Sequence, residues 1–357
     1  MKKIFWLVSL LLGLSLACNA LAAPASSPIA APALPTASPT ETPLPTVAAP
    51  SETPAPTAPP LPEATSIPAG VRAREHLVAL SKGIGPRVAG TEAEREARAY
   101  IFGALQAAGY QPELQEFSTT YADENGNTLS IRSANVIAVK PGLSKREIIV
   151  GAHYDSTGDA GRGADDNASA VSVLLEVAEN LQALETPYTL RFIAFGSEEI
   201  DLNGSSAYAG QMSRDEIDNT LVMLNLDSLA AGDNTYLYSD EGPKAKVRDW
   251  ALAWASQHGF DLQTVPNVDL TDEGDGTSDH FAFQQIGIPY AYFEATNWTL
   301  GDRDGYTQVD PQFGEGGEIW HTQYDNLEYL DKTFPGRVDA HLNLFVSVLQ
   351  AILTKYP

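Results

Sequence analysis

Past residue 140 the chain switches repeatedly between two hydrophobic periods, and that alternation limits the fold more than any other feature. Glu147–Ala152, Thr189–Phe195, Leu221–Leu226 and Pro289–Phe293 are short apolar runs of the kind a buried strand uses. Between and after them come helical patterns. Val171, Leu174, Leu175, Ala178 and Leu181 mark one helix face, Pro243–His258 repeats the spacing, and Leu330–Leu353 reads as a closing helix. Upstream, Arg74–Ser81 and Glu92–Ala108 are helical and flank the Gly/Pro-rich loop Gly83–Gly90. Glu113–Tyr121 and Leu129–Val139 alternate like two strands of a hairpin around an Asp123–Asn127 turn. Strands alternating with helices predict one α/β domain over residues 71–357, with a mostly parallel, mixed central sheet.

The N-terminal part is of another character. Lys2-Lys3 and the apolar run Ile4–Leu16 have the charged and hydrophobic regions of an export signal, which sets a leader at residues 1–22. Ser15-Leu-Ala-Cys18 resembles a bacterial lipobox, in which Cys18 is lipidated and becomes the first mature residue; ordinary cleavage after Ala22 is the other reading. Both make the protein exported, as a cell-surface lipoprotein or a secreted or periplasmic one. Residues 23–70, almost entirely Pro, Ala, Thr and Ser from Pro24 to Pro68, read as a disordered tether. Cys18 is the single cysteine, so no internal disulfide is expected. No later stretch is long and apolar enough to span a bilayer, so membrane contact rests on the lipid anchor alone.

In an open α/β sheet, ligands collect beyond the carboxyl ends of the strands. His153-Tyr-Asp155 follows the first apolar run, Glu198-Glu199 the second and Asp227 the third. A glycine-bounded loop adds Asp165-Asp166, and the last long loop adds His321. Imidazoles and carboxylates suit Zn²⁺. Two zinc ions ~3.5–4 Å apart need one bridging carboxylate plus a His and a carboxylate each, and these segments supply that set. Of Glu198 and Glu199, one would bind metal and the other stay free to take a proton from water. Of Asp165 and Asp166, one would bridge and the other shape the turn. The net charge of -24 disfavours nucleic acid and anionic lipid headgroups.

Gly151-Ala-His-Tyr-Asp-Ser156, Gly163-Ala-Asp-Asp-Asn-Ala-Ser169, Ser197-Glu-Glu199, Leu224-Asn-Leu-Asp227, Ser278-Asp-His280 with Gly287-Ile-Pro289, and His321-Thr-Gln-Tyr-Asp325 together resemble the M28 peptidases. The resemblance runs from Arg74 to the C-terminus and implies the three-layer α/β/α zinc exopeptidase fold. It implies that His153 and Asp227 bind one zinc, that Glu199 and His321 bind the other, and that Asp165 bridges them. Glu198 is then the general base. Asp155 fixes the His153 tautomer, Asp325 does the same for His321, and the Asp165–Asp166 peptide bond is cis. Glu294-Ala-Thr-Asn-Trp298 with Gly301–Gly305 is further similar to the alkaline-phosphatase isozyme-conversion aminopeptidases.

The activity implied is removal of N-terminal amino acids from peptides with free N-termini. Open alternatives are an M28-type carboxypeptidase or deacylase, a glutaminyl cyclase-like enzyme with one zinc, and a catalytically silent tethered binding module. His280 is expected to support or pack rather than ligate. Trp320 stands where some relatives carry tyrosine, with Tyr324 a substitute for the oxyanion contact. The acidic run Asp269–Asp279 offers oxygen ligands for Ca²⁺, or is a solvated loop. Tyr290–Trp298 is expected to line the pocket for the first side chain or to pack in the core. Oligomeric state is not legible.

Overall fold

Segments with no solvent-facing side belong in the middle of a sheet covered on both faces, and the four apolar runs take that place. The computed structural model describes residues 67–122, 127–158, 161–265, 278–303 and 305–357. Its strands are β1 (Glu113–Ala122), β2 (Thr128–Lys140), β3 (Ser144–His153), β4 (Tyr188–Phe195), β5 (Thr220–Leu226), β6 (Asn234–Tyr238) and β7 (Tyr290–Thr296). They form one sheet in the order β1-β2-β4-β3-β5-β7-β6. The central β4, β3, β5 and β7 are parallel. The hairpin β1–β2 and the edge strand β6 are attached antiparallel.

The helices are α1 (Val71–Leu77), α2 (Glu92–Ala107), α3 (Ala170–Leu181), α4 (Asn203–Ala209), α5 (Arg214–Asn219), α6 (Lys246–Gln257), α7 (His280–Gln285), α8 (Leu327–Thr333) and α9 (Arg337–Lys355). Successive strand residues face opposite ways, and the core divides accordingly. Ile148, Val150, Phe192, Leu224 and Phe293 join the layer built by α1, α2, α3, α6 and α9. Ile149, Ile193, Phe195 and Met223 face α4 and α7, where Tyr208 and Phe283 cover them. The three-layer α/β/α reading therefore holds. Every residue of α3 from Ala170 to Ala178 is buried, as expected of a helix apolar on all sides.

The structure departs from the sequence reading in three places. The closing helix is two, α8 and α9, because Pro335 bars Phe334 from the helical region and Gly336 adopts φ 79°. Strand β6 was not expected; Asn234–Tyr238 is short and takes its register from β7. The short helices α4, α5 and α7 also lacked a readable period. The leader, Cys18 and the tether up to residue 66, the hairpin tip 123–126 and the acidic residues 269–277 lie outside the described residues.

One contact fixes how α1 enters the domain. Buried Glu176 of α3 accepts the Gly70 amide at 3.0 and 3.1 Å and the Ala73 amide at 2.7 Å. A carboxylate thus takes up amides that the first turn of α1 leaves free. Glu176→Ala strands them, and a loss of about 2–3 kcal/mol is expected from the urea midpoint. A shift below about 0.5 kcal/mol would show that water replaces the cap.

Candidate metal centre

His153 ends β3, Glu198 and Glu199 follow β4, and Asp227 follows β5, its amide donating to Phe293 O at 3.0 Å. Two chain segments approach from above. Ala164–Ser169 turns into α3 and is buried throughout, and the loop after β7 brings His321. Gly163 starts the turn at φ 57°, where an added Cβ would stand 2.6 Å from Asp166 O and from Ser156 Cβ. Glycine is required there on both counts.

Two donor sets result. His153, Asp166 and Asp227 present atoms all within 4.8 Å of one another, and so do Asp166, Glu199 and His321. His153 Nε2 lies 3.1 Å from Asp166 Oδ1 and 3.5 Å from Asp227 Oδ1. His321 Nε2 lies 3.0 Å from Asp166 Oδ2 and 3.1 Å from Glu199 Oε2. The residue common to both sets is Asp166, which offers one oxygen to each.

Asp165, expected to bridge, is turned away. Its Oδ1 accepts the amides of Ala230 and Ala231 at 2.7 and 2.9 Å, and its Oδ2 accepts Gln308 Nε2 at 2.6 Å. It anchors the turn to the segment after β5. The cis peptide bond is likewise one residue later than the resemblance implied, between Asp166 and Asn167. Two adjacent aspartates are equivalent to a reader of sequence; only the path of the turn distinguishes them.

Asp155 and Asp325 also do something other than expected. Asp155 Oδ1 is 3.6 Å from His153 Nδ1, beyond a hydrogen bond. Its two oxygens accept the amides of Glu198 and Glu199, at 3.0 and 3.2 Å. Asp325 accepts the amides of Asp165 and Asp166, at 2.6 and 3.2 Å, and so orients the aspartate pair rather than His321. Asp227 is held by Ser278 Oγ at 2.6 Å, itself bonded by Asn225 Nδ2 at 2.9 Å.

Arg87, which the sequence reading passed over, is fully buried. It donates to the carbonyls of Tyr154, Gly85, Arg162 and Gly163 at 2.7–3.1 Å, clamping the strand end that bears His153 to the turn that bears Asp166. A lone arginine in a Gly/Pro-rich loop was the only signal. Five backbones beside the donors or lining their cavity are left-handed without being glycine: Ser197 at φ 59°, Asp201 at 62°, Leu202 at 52°, Ser228 at 48° and His321 at 55°. Such strain collects where surrounding structure imposes a geometry.

The electrostatics are those of an excess of carboxylates. Burial, and then the charge of Asp166, pushes Glu199 up to about 7. Burial, reinforced by Asp279, Glu199 and Asp227, holds Glu198 well above the usual carboxylate range. Burial acts to lower His321, but Asp166 and Glu199 override it and push the imidazole up to about 11. Burial is similarly overridden at His153, chiefly by Glu198 and Asp227, which raise it. At Asp166 both imidazoles outweigh burial and hold the carboxyl below its ordinary value. The centre thus draws positive charge wherever it can. Buried Asp166 Oδ1 and Glu199 Oε1 have no hydrogen-bond donor among the described residues. Donor spacings of 3.0–3.5 Å match the ~3.4 Å edge of a tetrahedron with zinc–ligand bonds near 2.1 Å. The residues fit a pair of zinc ions.

His280 is buried against Tyr290 and Tyr292, with ring centroids at 4.5 and 4.9 Å, and stands in neither donor set. Asp279, the described end of the acidic run, is buried and in neither set as well. Tyr324 packs on Tyr329. The donors open into a cavity of about 420 Å³, also lined by Tyr292, Glu294, Tyr306 and Trp320.

A three-layer α/β/α domain with two carboxylate–imidazole donor sets at the carboxyl ends of its parallel strands defines a class of zinc exopeptidase fold. The chain belongs to Peptidase family M28, whose profile it matches over residues 135–346. It is 35% identical over 279 residues to the alkaline phosphatase isozyme conversion protein of Escherichia coli, covering 71% of this chain and 81% of that one. Aminopeptidase YwaD of Bacillus subtilis is 32% identical over 56% of this chain, which spans 41% of that longer protein. Among solved structures, a zinc aminopeptidase from Bacillus subtilis superposes with a TM-score of 0.62 at 20% identity, over 80% of this chain and 96% of its own. A glutaminyl cyclase of Porphyromonas gingivalis gives 0.58 at 20% identity, over 80% and 98%.

Asp166→Asn is expected to abolish tight binding at both sites, leaving less than one zinc per chain after dialysis, because it removes charge from both sets. Asp165→Asn keeps a carbonyl for the Ala230 and Ala231 amides and should retain both ions. Elemental analysis of the two variants, showing the opposite order, would return the bridge to Asp165.

Proposed function

We propose that the protein is a di-zinc aminopeptidase that removes residues from the free N-termini of peptides, with Glu198 as the general base. One observation carries the reading: two donor sets share Asp166 while Glu198, the carboxylate next to the donor Glu199, stands beside them outside both. His153, Asp166 and Asp227 would hold one ion, and Asp166, Glu199 and His321 the other. Bound zinc supplies Lewis acidity and a nucleophile at neutral pH.

The chain's own residues do the rest. Glu198 Oε2 lies 3.8 Å from His153 Nε2, and the amides of Glu198 and Glu199 are fixed by Asp155. Its buried carboxylate has the raised proton affinity needed to accept a proton from the attacking water and return it to the leaving amine. Among the described residues no lysine or arginine lines the cavity, whereas Asp201, Glu198 and Glu294 do. A free α-amine is favoured there and a C-terminal carboxylate is not, which argues for an aminopeptidase over a carboxypeptidase. The second donor set argues against a one-zinc cyclase, and the complete set of donors against a silent binding module.

Glu198→Gln is expected to lower kcat on aminoacyl-p-nitroanilides by at least about 10³-fold, with two zinc ions retained. Loss of metal from that variant would exchange the roles of Glu198 and Glu199. The wild-type protein should cleave free-amine but not N-acetylated substrates, and a chelator should stop it.

No described helix is long and apolar enough to cross a membrane. Our reading of the leader is that the mature chain begins at a lipidated Cys18. Mass spectrometry of the exported protein should show a diacylglyceryl N-terminus; a chain starting at Ala23 would replace the anchor with secretion.

A further inference from the structure

The chain has 22 basic residues against 46 acidic ones, so a place where guanidinium groups gather without acids is unusual in it. One such place is a cavity of about 620 Å³ between α2 and the hairpin β1–β2. It is lined by Arg95 and Arg98 of α2, by Arg132 and Ser133 of β2, and by Glu116 and Ser118 of β1. Three cations there face one carboxylate.

The arginines are not equally engaged. Arg95 is held by Glu92, with Nε and Nη2 donating to one oxygen at 3.0 and 2.7 Å. Among the described residues no carboxylate pairs with Arg98 or Arg132. The carboxyl of buried Glu94 feels the charge of Arg98, but its oxygens are taken by the Gly90 amide at 2.6 Å and by the Ser133 hydroxyl. Glu116 is exposed and pairs with none of the three. Half-buried Arg98 and exposed Arg132 are therefore open donors, and the hydroxyl of Ser118 stands across the strands from Arg132. Planar guanidinium groups take a carboxylate through two parallel N–H···O bonds.

Strand β2 puts this cavity beside the metal centre. Val136 pairs with Ala194 in the antiparallel ladder of β2 and β4, and the same register carried past the end of β4 sets Arg132 level with Glu198. The close approach of the two segments agrees: a Cβ added to Gly196 would stand 2.3 Å from Ser133 Oγ and 3.0 Å from Ala134 O. In the sheet, β2 lies two strands from β3, the strand that ends in His153. At about 4.8 Å per strand that is roughly 10 Å, the length of about three residues of extended peptide. The aromatic residues of β7 lie on the other side of the donors. A peptide whose first side chain lies at that aromatic end directs its later residues the opposite way, past Glu198 toward β2.

We propose that the arginine cavity is a subsite for the distal part of the substrate, binding a carboxylate three or four residues past the bond that is cleaved. An acidic side chain and the C-terminus of a short peptide both supply that group. The proposal rests on the aminopeptidase reading. Arg98 and Arg132 hold the peptide and do not touch the reacting atoms.

The test uses peptides that share one N-terminal residue, the one whose p-nitroanilide is cleaved fastest. C-terminally amidated pairs carry Glu or Gln at the third or fourth position past the cleaved bond, with alanine elsewhere. A second set compares all-alanine continuations of three or four residues as free acids and as amides. At low salt kcat/KM is expected to favour the carboxylate by at least about 10-fold in at least one set, and the ratio should shrink as ionic strength rises. A preference in the first set alone identifies an acidic side chain as the ligand, and one in the second alone a C-terminus. In Arg98→Gln/Arg132→Gln the ratio should fall toward one. Calorimetry gives a readout independent of turnover: zinc-loaded Glu198→Gln should bind the preferred peptide about 10-fold more tightly than its neutral partner. Equal losses on charged and neutral peptides in the double arginine variant would assign the arginines a structural role and overturn the subsite. Cleavage of every peptide with ratios near one would also overturn it and leave the aminopeptidase standing. Silence on every free-amine substrate by fully zinc-loaded protein would overturn both.

Discussion

Crowding of carboxylates at the carboxyl edge of the parallel strands is the constraint that organises this domain. Asp155, Asp165, Asp166, Glu198, Glu199, Asp227 and Asp325 are drawn into one region, most of them buried. Ionised groups in that density repel and lose hydration. The structure answers with backbone amides. Asp155, Asp165 and Asp325 each accept two amides in a row, from Glu198–Glu199, Ala230–Ala231 and Asp165–Asp166 respectively. Asp155 and Asp325, which do not face the cavity, therefore fix the backbone of acids that do. Arg87 does the complementary work, gathering carbonyls instead of carboxylates. Part of the charge left uncompensated lies on the donors, where divalent ions would neutralise it.

The sheet explains why the opening has two dissimilar sides. Strands β3, β4 and β5 deliver His153, Glu199 and Asp227. β7, paired to β5 on one edge and to the antiparallel β6 on the other, delivers an aromatic floor of Tyr290 and Tyr292 continued by Tyr236 and Tyr238. One side of the opening thus carries the imidazole and carboxylate donors, and the other is lined by aromatic side chains. Asp227 sits at the seam, its amide tied to β7 and its carboxylate tied to Ser278.

Much of this was legible before any coordinates. Buried strands read clearly because an apolar run bounded by polar residues has few other uses, and the donors read clearly because strand ends are where such residues gather. What escaped notice turned on one-residue or long-range geometry. Whether Asp165 or Asp166 faces the donors depends on the turn that Gly163 begins, and composition does not encode its path. Asp155 and Asp325 read as clamps of His153 and His321, whereas their hydrogen bonds run to the amides of Glu198–Glu199 and Asp165–Asp166; a carboxylate near a histidine looks like its clamp whichever way it points. Edge strand β6 and helix α7 owe their form to neighbours rather than to their own period. Arg87 shows the limit most plainly: its four carbonyl partners come from three stretches of chain.

The clasp between Asp325 and the amide of Asp165 spans 160 positions of sequence. His321, four residues before Asp325, closes the same stretch of chain onto Asp166. During synthesis, the whole parallel core up to β7 is therefore made before the last donor exists, and contacts this remote in sequence are among the slowest to form. Competence to cut peptides is in effect the final report of a finished fold. A nascent or damaged chain lacking that closing segment lacks His321 and with it the second donor set.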